Sequence, residues 1–260
     1  LLATGAVGSA PQAELDALDD LLIAPLGELG DTAVIAPTPG LFGLPWGALA
    51  RLHNRRMVIV PSATAWAVRR PAATRLQPTI LARGPKLETA AAELDAIAAA
   101  WPAVRVLDGR RATVTATVAA LDGAPVAHVV AHGTNRIDNP LFSSLRMADG
   151  PLSVYELESI SAPPDTVVLS ACHVGLAEAA PGRELLGLVG GLLGAGVRTV
   201  VASTLPLPDT GSTVRFMSAL HESLAGGAPP SAALLTAQST ITDPHSSVLY
   251  RGAIGVFGGD

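Results

Sequence analysis

Five short aliphatic runs recur along the chain, each followed by a helical pattern or a turn. They are PTILAR (78–83), VRVL (104–107), VAHVVA (126–131), TVVLS (166–170) and RTVVAS (198–203). Apolar strands alternating with helices specify a mostly parallel sheet covered on both faces. The fold class is therefore α/β. Residues 87–100 read as a helix with Glu88, Glu93 and Asp95 toward its N-terminal half and Pro102 just past its end. Residues 113–121 read as a helix that Thr113 caps, and 183–196 as a helix ending in glycine. Two helices over roughly 210–225 and 229–241 follow. SSLRMADGPLS (143–153) has the pattern of a hairpin around Asp149-Gly150. Ahead of this series lie a helical stretch at 13–25 and two strand-like runs, TAVIAP (32–37) and MVIVPS (57–62), with AIGVF (253–257) read as an edge strand.

The length of 260 residues fits one large domain, or one domain with a smaller subdomain. A formal charge of -5 gives no reason to expect nucleic-acid or membrane-surface binding. The apolar runs are far shorter than the ~20 residues of a membrane span. The single cysteine excludes an internal disulfide framework and a multi-cysteine metal site, and fits a reducing, cytosolic compartment. The opening Leu1-Leu2-Ala3 lacks Met and the basic region of a signal peptide, and reads as a cut from a longer polypeptide. His53, His128, His221 and His245 form no close metal-ligand spacing. The glycine-rich GLVGGLLGAG (187–196) precedes a strand instead of following one, so it reads as helix packing and not as a phosphate loop.

Chemistry concentrates where two strands stop. VAHVVA is followed at once by His132-Gly133, and TVVLS by Ala171 and the lone thiol, Cys172. In open α/β sheets, sites form outside the carboxyl ends of the strands. If the two strands are neighbours, imidazole and thiol reach the same rim. An imidazole there promotes thiolate formation and protonates a leaving amine. The backbone N–H groups of Gly133 and Cys172 are the candidate oxyanion donors. Taken singly, a strand-end histidine and a free cysteine are more often structural. Their pairing at matching strand ends is the informative feature.

The same segments resemble the CHAT domain, a caspase-like cysteine peptidase family related to separase. The motifs are HVVAHG, then NPLFSSLRMADGPLSVYELESI, then VVLSACHVGL, then RELLGLVGGLLGAGVRTVVASTLPLPD, with echoes in APLGEL, GLPWGAL and SAALLTAQ. The resemblance implies a His132–Cys172 dyad on adjacent strands. It also implies a smaller, noncatalytic N-terminal portion over residues 1–75 and a catalytic portion over 76–260. Three positions depart from the usual pattern: Ala131 replaces a cysteine before the histidine, His173 replaces an acidic residue after the thiol, and Thr204-Leu205 replaces Leu-Trp. His173 is a rival base, although adjacent side chains at a strand end diverge. Asp209 has two readings. It caps the helix starting near Thr210, or, as the resemblance implies, it lines a pocket for a basic P1 side chain.

The expected function is a cysteine endopeptidase acting on a specific protein or peptide substrate, with no cofactor and no metal. By resemblance it is the effector part of a longer bacterial sensor protein in defence or programmed cell death, partnered by a regulatory or sensor domain. Direct nucleic-acid and membrane partners are not expected. The alternative is a noncatalytic or regulatory protein-interaction module on the same fold. A small-molecule cysteine hydrolase would require an enclosed pocket in place of an open groove.

Overall fold

The computed structural model describes residues 12–68, 78–87, 90–134, 143–170, 184–205, 207–208 and 210–260. Its strands are β1 (Thr32–Ile35), β2 (Arg56–Ile59), β3 (Thr79–Arg83), β4 (Val104–Leu107), β5 (Val126–Val130), β6 (Gly133–Thr134), β7 (Ser144–Arg146), β8 (Pro151–Ser153), β9 (Thr166–Ser170), β10 (Thr199–Ser203) and β11 (Ile254–Gly258). Its helices are α1 (Gln12–Leu22), α2 (Ala63–Ala67), α3 (Ala90–Ala98), α4 (Val114–Leu121), α5 (Val154–Leu157), α6 (Glu184–Gly194), α7 (Gly211–Ala225), α8 (Pro230–Ser239) and α9 (Pro244–Ala253).

Eight strands form one sheet in the order β1-β2-β11-β10-β9-β5-β3-β4. From β10 to β4 every pairing is parallel, so five carboxyl ends meet at one rim. β11 is antiparallel to β10 and parallel to β2, which is parallel to β1, so these three strands run the other way. AIGVF is therefore not an edge strand. It is paired on both sides, which explains its buried run of Ile254, Val256 and Phe257. Beyond residue 241 the chain forms a further helix that the sequence pattern does not assign, α9, whose Asp243 side chain accepts from the Ser246 N–H at 2.8 Å.

The inner strands separate two cores by simple alternation. Ile80, Ala127, Val129, Val167, Leu169, Val200 and Ala202 join residues of α4, α5 and α6 on one face. Leu81, Val130, Val168 and Val201 join α3, α7, α8 and α9 on the other. Thr113 caps α4 as expected, accepting the Ala116 N–H at 3.1 Å. Ser153 and Glu156 form a capping box around the short α5. The glycine-rich segment packs as a helix, and a Cβ on Gly191 would lie 2.3 Å from a Val154 methyl. Glycine is required there for α6 to approach α5.

The expected hairpin is β7–β8, closed by the Met147 N–H to the Gly150 carbonyl at 2.8 Å. It forms a separate three-stranded sheet with β6, which continues the chain beyond β5. A Cβ on Gly84 would lie 2.4 Å from the Arg146 carbonyl and 3.0 Å from the Ala131 Cβ. A glycine at the end of β3 thus lets the hairpin close over the sheet's rim.

Leu81 is fully buried at the centre of β3. Leu81→Ala should lower unfolding free energy by about 2–5 kcal/mol, read from the shift in denaturation midpoint at unchanged m-value.

Candidate functional site

β5 and β9 are paired in parallel from Val126↔Thr166 to Val130↔Ser170. Both deliver their carboxyl ends to the same rim. His132 follows the last paired residue of β5 by two positions, as Cys172 follows that of β9 by two in the sequence. Cys172 and His173 lie outside the described residues, as does Asp209.

His132 is half-buried and held at both its backbone and its ring. Its carbonyl accepts the Arg146 N–H at 2.8 Å. Its Nε2 lies 3.0 Å from the Lys86 carbonyl oxygen. A carbonyl only accepts, so Nε2 carries the proton and the neutral ring keeps its lone pair on Nδ1. The Lys86 carbonyl comes from the turn after β3, where Lys86 itself takes φ 63°, a conformation uncommon for a non-glycine residue. Sequence reading does not find this contact, because the partner is a main-chain oxygen with no side-chain signature.

Gly133 opens β6. The Arg146 N–H to His132 carbonyl bond makes Gly133↔Leu145 the non-hydrogen-bonded pair of that ladder, so the Gly133 N–H points away from β7. A Cβ placed on Gly133 meets no atom of the described residues within 4 Å.

The loop following β10 is fastened on both sides of position 209. Thr204 donates from its N–H and its hydroxyl to the Ala253 carbonyl, at 2.6 and 3.1 Å. Ser203 Oγ donates to the Leu205 carbonyl. Thr213 Oγ1 donates to the Pro208 carbonyl at 2.5 Å and lies 2.7 Å from the Tyr250 hydroxyl, which then donates to it. Thr210 stands at the N-cap position of α7 and its side chain makes no capping hydrogen bond.

Four residues deeper in the fold form a directional chain that the sequence reading missed. The Trp101 indole N–H donates to His221 Nδ1 at 3.2 Å. That fixes the His221 proton on Nε2, which donates to His128 Nδ1 at 3.0 Å. The His128 proton is then on Nε2 and points to Glu93 Oε1 at 3.1 Å. Both rings are fully buried, and Glu93 is only 3% exposed. The chain ties β5, the strand that carries His132, to α3 and α7. His221 occupies the apolar stripe of α7 with Phe216, Met217, Leu220 and Leu224, and Glu93 sits in the buried stripe of α3 with Ala90, Leu94 and Ile97. A polar residue at a core position was the available signal. No group of three or more His, Cys, Asp or Glu suited to a metal occurs among the described residues. No described helix is long and apolar enough to cross a membrane.

The CHAT domain family matches residues 12–251. The chain belongs to this family. No curated protein matches the chain. The fold is similar to separase in the 3.0 Å crystal structure of the Saccharomyces cerevisiae separase–securin complex, with a TM-score of 0.59 and 15% identity over 87% of this chain. The match spans only 15% of the separase chain. A crystal structure of the Arg-specific cysteine proteinase gingipain R also matches, with a TM-score of 0.45 and 11% identity over 70% of this chain and 46% of that one. The separase match and the sheet order agree on a mostly parallel α/β fold of the caspase-like kind.

Burial, and next the field of His128, holds the His221 imidazole well below its ordinary value. The unfolded chain therefore takes up this proton first as pH falls. Its contribution to stability is complete above the unfolded value near 6.5 and declines as pH drops below it. His221→Gln should flatten the acid limb of stability against pH, measured by urea denaturation between about pH 7 and 5, where one proton gives a slope of at most about 1.4 kcal/mol per pH unit.

Proposed function

We propose that this CHAT domain is a cysteine endopeptidase with a His132–Cys172 dyad. The observation that carries this reading is the parallel pairing of β5 and β9, with His132 and Cys172 each two residues beyond the last register pair, Val130↔Ser170. Neighbouring strands of a parallel sheet place their following residues at one rim, where α/β sites form.

The His132 tautomer fits the role. With Nε2–H engaged by the Lys86 carbonyl, Nδ1 is the nitrogen left to accept the thiol proton. The Cys172 thiolate then attacks the peptide carbonyl carbon. The oxyanion is stabilised by the N–H groups of Gly133 and Cys172, and the first of these is aimed away from its own ladder. Collapse of the tetrahedral intermediate breaks the C–N bond, and Nδ1–H protonates the departing amine. Water, giving its proton to Nδ1, attacks the thioester, and the thiolate leaves. This sequence needs no cofactor. The His128–His221 chain supports this role indirectly, by fixing the strand that presents His132.

Residues 1–75 form the noncatalytic portion in this reading, and 76–260 carry the dyad. The domain acts in the cytoplasm as the effector part of a longer bacterial protein, whose regulatory or sensor portion gates it in defence or programmed cell death. The alternative is a regulatory module whose dyad never assembles.

Cys172→Ala and His132→Ala should each abolish cleavage of a peptide library while retaining cooperative unfolding, and the double variant should lose little more than either single one. Folded protein that cleaves no peptide and takes no label from a peptide-based thiol-reactive probe would favour the regulatory module. Loss of activity in His173→Ala with retention in His132→Ala would move the base to His173.

Asp209 is proposed to pair with Arg or Lys at P1. Asp209 follows β10 in the sequence, and β10 is paired in parallel with β9, so the two strands share one carboxyl-end rim. Asp209→Asn should reduce kcat/KM for basic P1 residues by about tenfold or more while sparing others, measured across a P1 series. Cleavage after Leu or Met by both proteins would reduce Asp209 to a structural residue.

A further inference from the structure

The rim has a fixed order. Moving along it, the loop after β10 comes first, then the end of β9, then His132 after β5, then the turn after β3 with Lys86, then the turn after β4. Beyond His132, on the side away from β9, a groove of about 510 Å³ opens between the β3–α3 turn and the β7–β8 hairpin. Pro85, Lys86, Arg146, Met147, Asp149 and Pro151 line it. Met147 is buried and forms part of the floor, while Lys86 and Arg146 are exposed.

The charge of this groove runs against that of the chain. The protein carries a formal -5. Here the two cations, Lys86 and Arg146, make no ion pair with any described residue. The nearby carboxylates among the described residues are already engaged. Asp149 Oδ1 accepts the Val114 N–H at 2.7 Å and so serves the N-terminus of α4. Asp108 is bidentate to Arg83 at 2.7 and 2.8 Å. The turn after β4 adds exposed Arg110 and Arg111, and it is joined to the hairpin by the Ala148 N–H to the Ala112 carbonyl at 2.9 Å.

We propose that this groove binds acidic side chains of a peptide substrate on the leaving-group side of the scissile bond. Its placement on that side rests on the dyad proposed above. His132 hands its proton to the departing amine, so the C-terminal half of the substrate leaves on the histidine's side of the thiol. β3 lies beyond β5 on that side. A peptide laid across the rim therefore runs its acyl half toward β10 and its leaving half toward Lys86 and Arg146. Carboxylates in that half meet two cations that no described residue pairs, whereas lysine or arginine there meets like charge. The occupant is an acidic peptide segment.

Two measurements test this. The first needs no catalysis. Fluorescence anisotropy on the Cys172→Ala chain compares a fluorescein-labelled peptide of alternating Glu and Gly with its Gln and Lys counterparts. The Glu peptide should bind about three- to tenfold tighter than the Gln peptide at low ionic strength, as expected for two exposed charge pairs, and the advantage should fade toward about 0.5 M salt. Arg146→Gln should weaken this preference, and Arg146→Glu should turn it toward the Lys peptide. A reversal of sign is not something a merely structural role for Arg146 would give. Equal binding of the Glu and Gln peptides, or a preference that survives Arg146→Glu, overturns the proposal. The second measurement profiles cleavage with positions on both sides of the bond varied. An acidic preference on the leaving side supports the proposal, and one confined to the acyl side overturns it. Acid-selective binding sensitive to Arg146, without any cleavage, retains the acidic-peptide groove and rejects the protease reading. Cleavage with no acid selectivity in either measurement rejects the groove alone.

Discussion

The pairing of β5 with β9 is the interaction on which the rest of the structure depends. It closes the middle of the sheet, and its two faces feed both cores: Ala127, Val129, Val167 and Leu169 on one side, Val130 and Val168 on the other. The same pairing sets where the chain leaves the sheet. Because the strands are parallel and end in step at Val130 and Ser170, the segments that follow them start level at one rim. A strand buried on both faces has no freedom to slip, since a one-residue shift would turn every side chain to the wrong core. The stability of the fold and the precision of its rim are thus one property.

The site is assembled from main chain as much as from side chains. His132 is bonded through its carbonyl to β7 and through its ring to the Lys86 carbonyl. Below it on the same strand, His128 is locked to Glu93 and His221. An added proton on either buried ring would set two N–H groups against each other, at His221 Nδ1 facing Trp101 or at His128 Nδ1 facing His221. The donor order from Trp101 through His221 and His128 to Glu93 holds with one proton on each ring, and a buried polar network with a fixed donor order favours a single arrangement of the elements it joins.

Much of this was legible in the sequence. VRVL and TVVLS are strands with the bounds read from the sequence, since strands apolar on both faces announce themselves by composition. The hairpin at Asp149-Gly150 and the Thr113 cap follow from local turn chemistry. AIGVF reads as an edge strand in sequence yet is paired on both sides, because pairing partners are nonlocal and a five-residue apolar run carries no record of how many neighbours it has. α9 was missed because its helical face is short and interrupted by polar residues, with only Asp243-Pro244 marking its start. His132 and Gly133 were found from their position after a strand. The Lys86 carbonyl was not, because every residue carries one. Glu93 and His221 were visible as polar residues in apolar stripes, but their partnership required the three-dimensional packing of α3 and α7 across β5.

β11 joins the two oppositely directed blocks of strands, with Ser203↔Ile254 on one side and Phe257↔Ile59 on the other. The β1–β2 ribbon therefore meets the rest of the sheet only through a strand near the far end of the described chain. Closing so long a loop is entropically expensive, and contacts of high sequence separation form late. During synthesis the ribbon leaves the ribosome first and finds its partner last, and until then the flank of β2 that β11 will cover stays open to other strands. The earliest-made part of the sheet is the part most in need of protection while the rest is being translated.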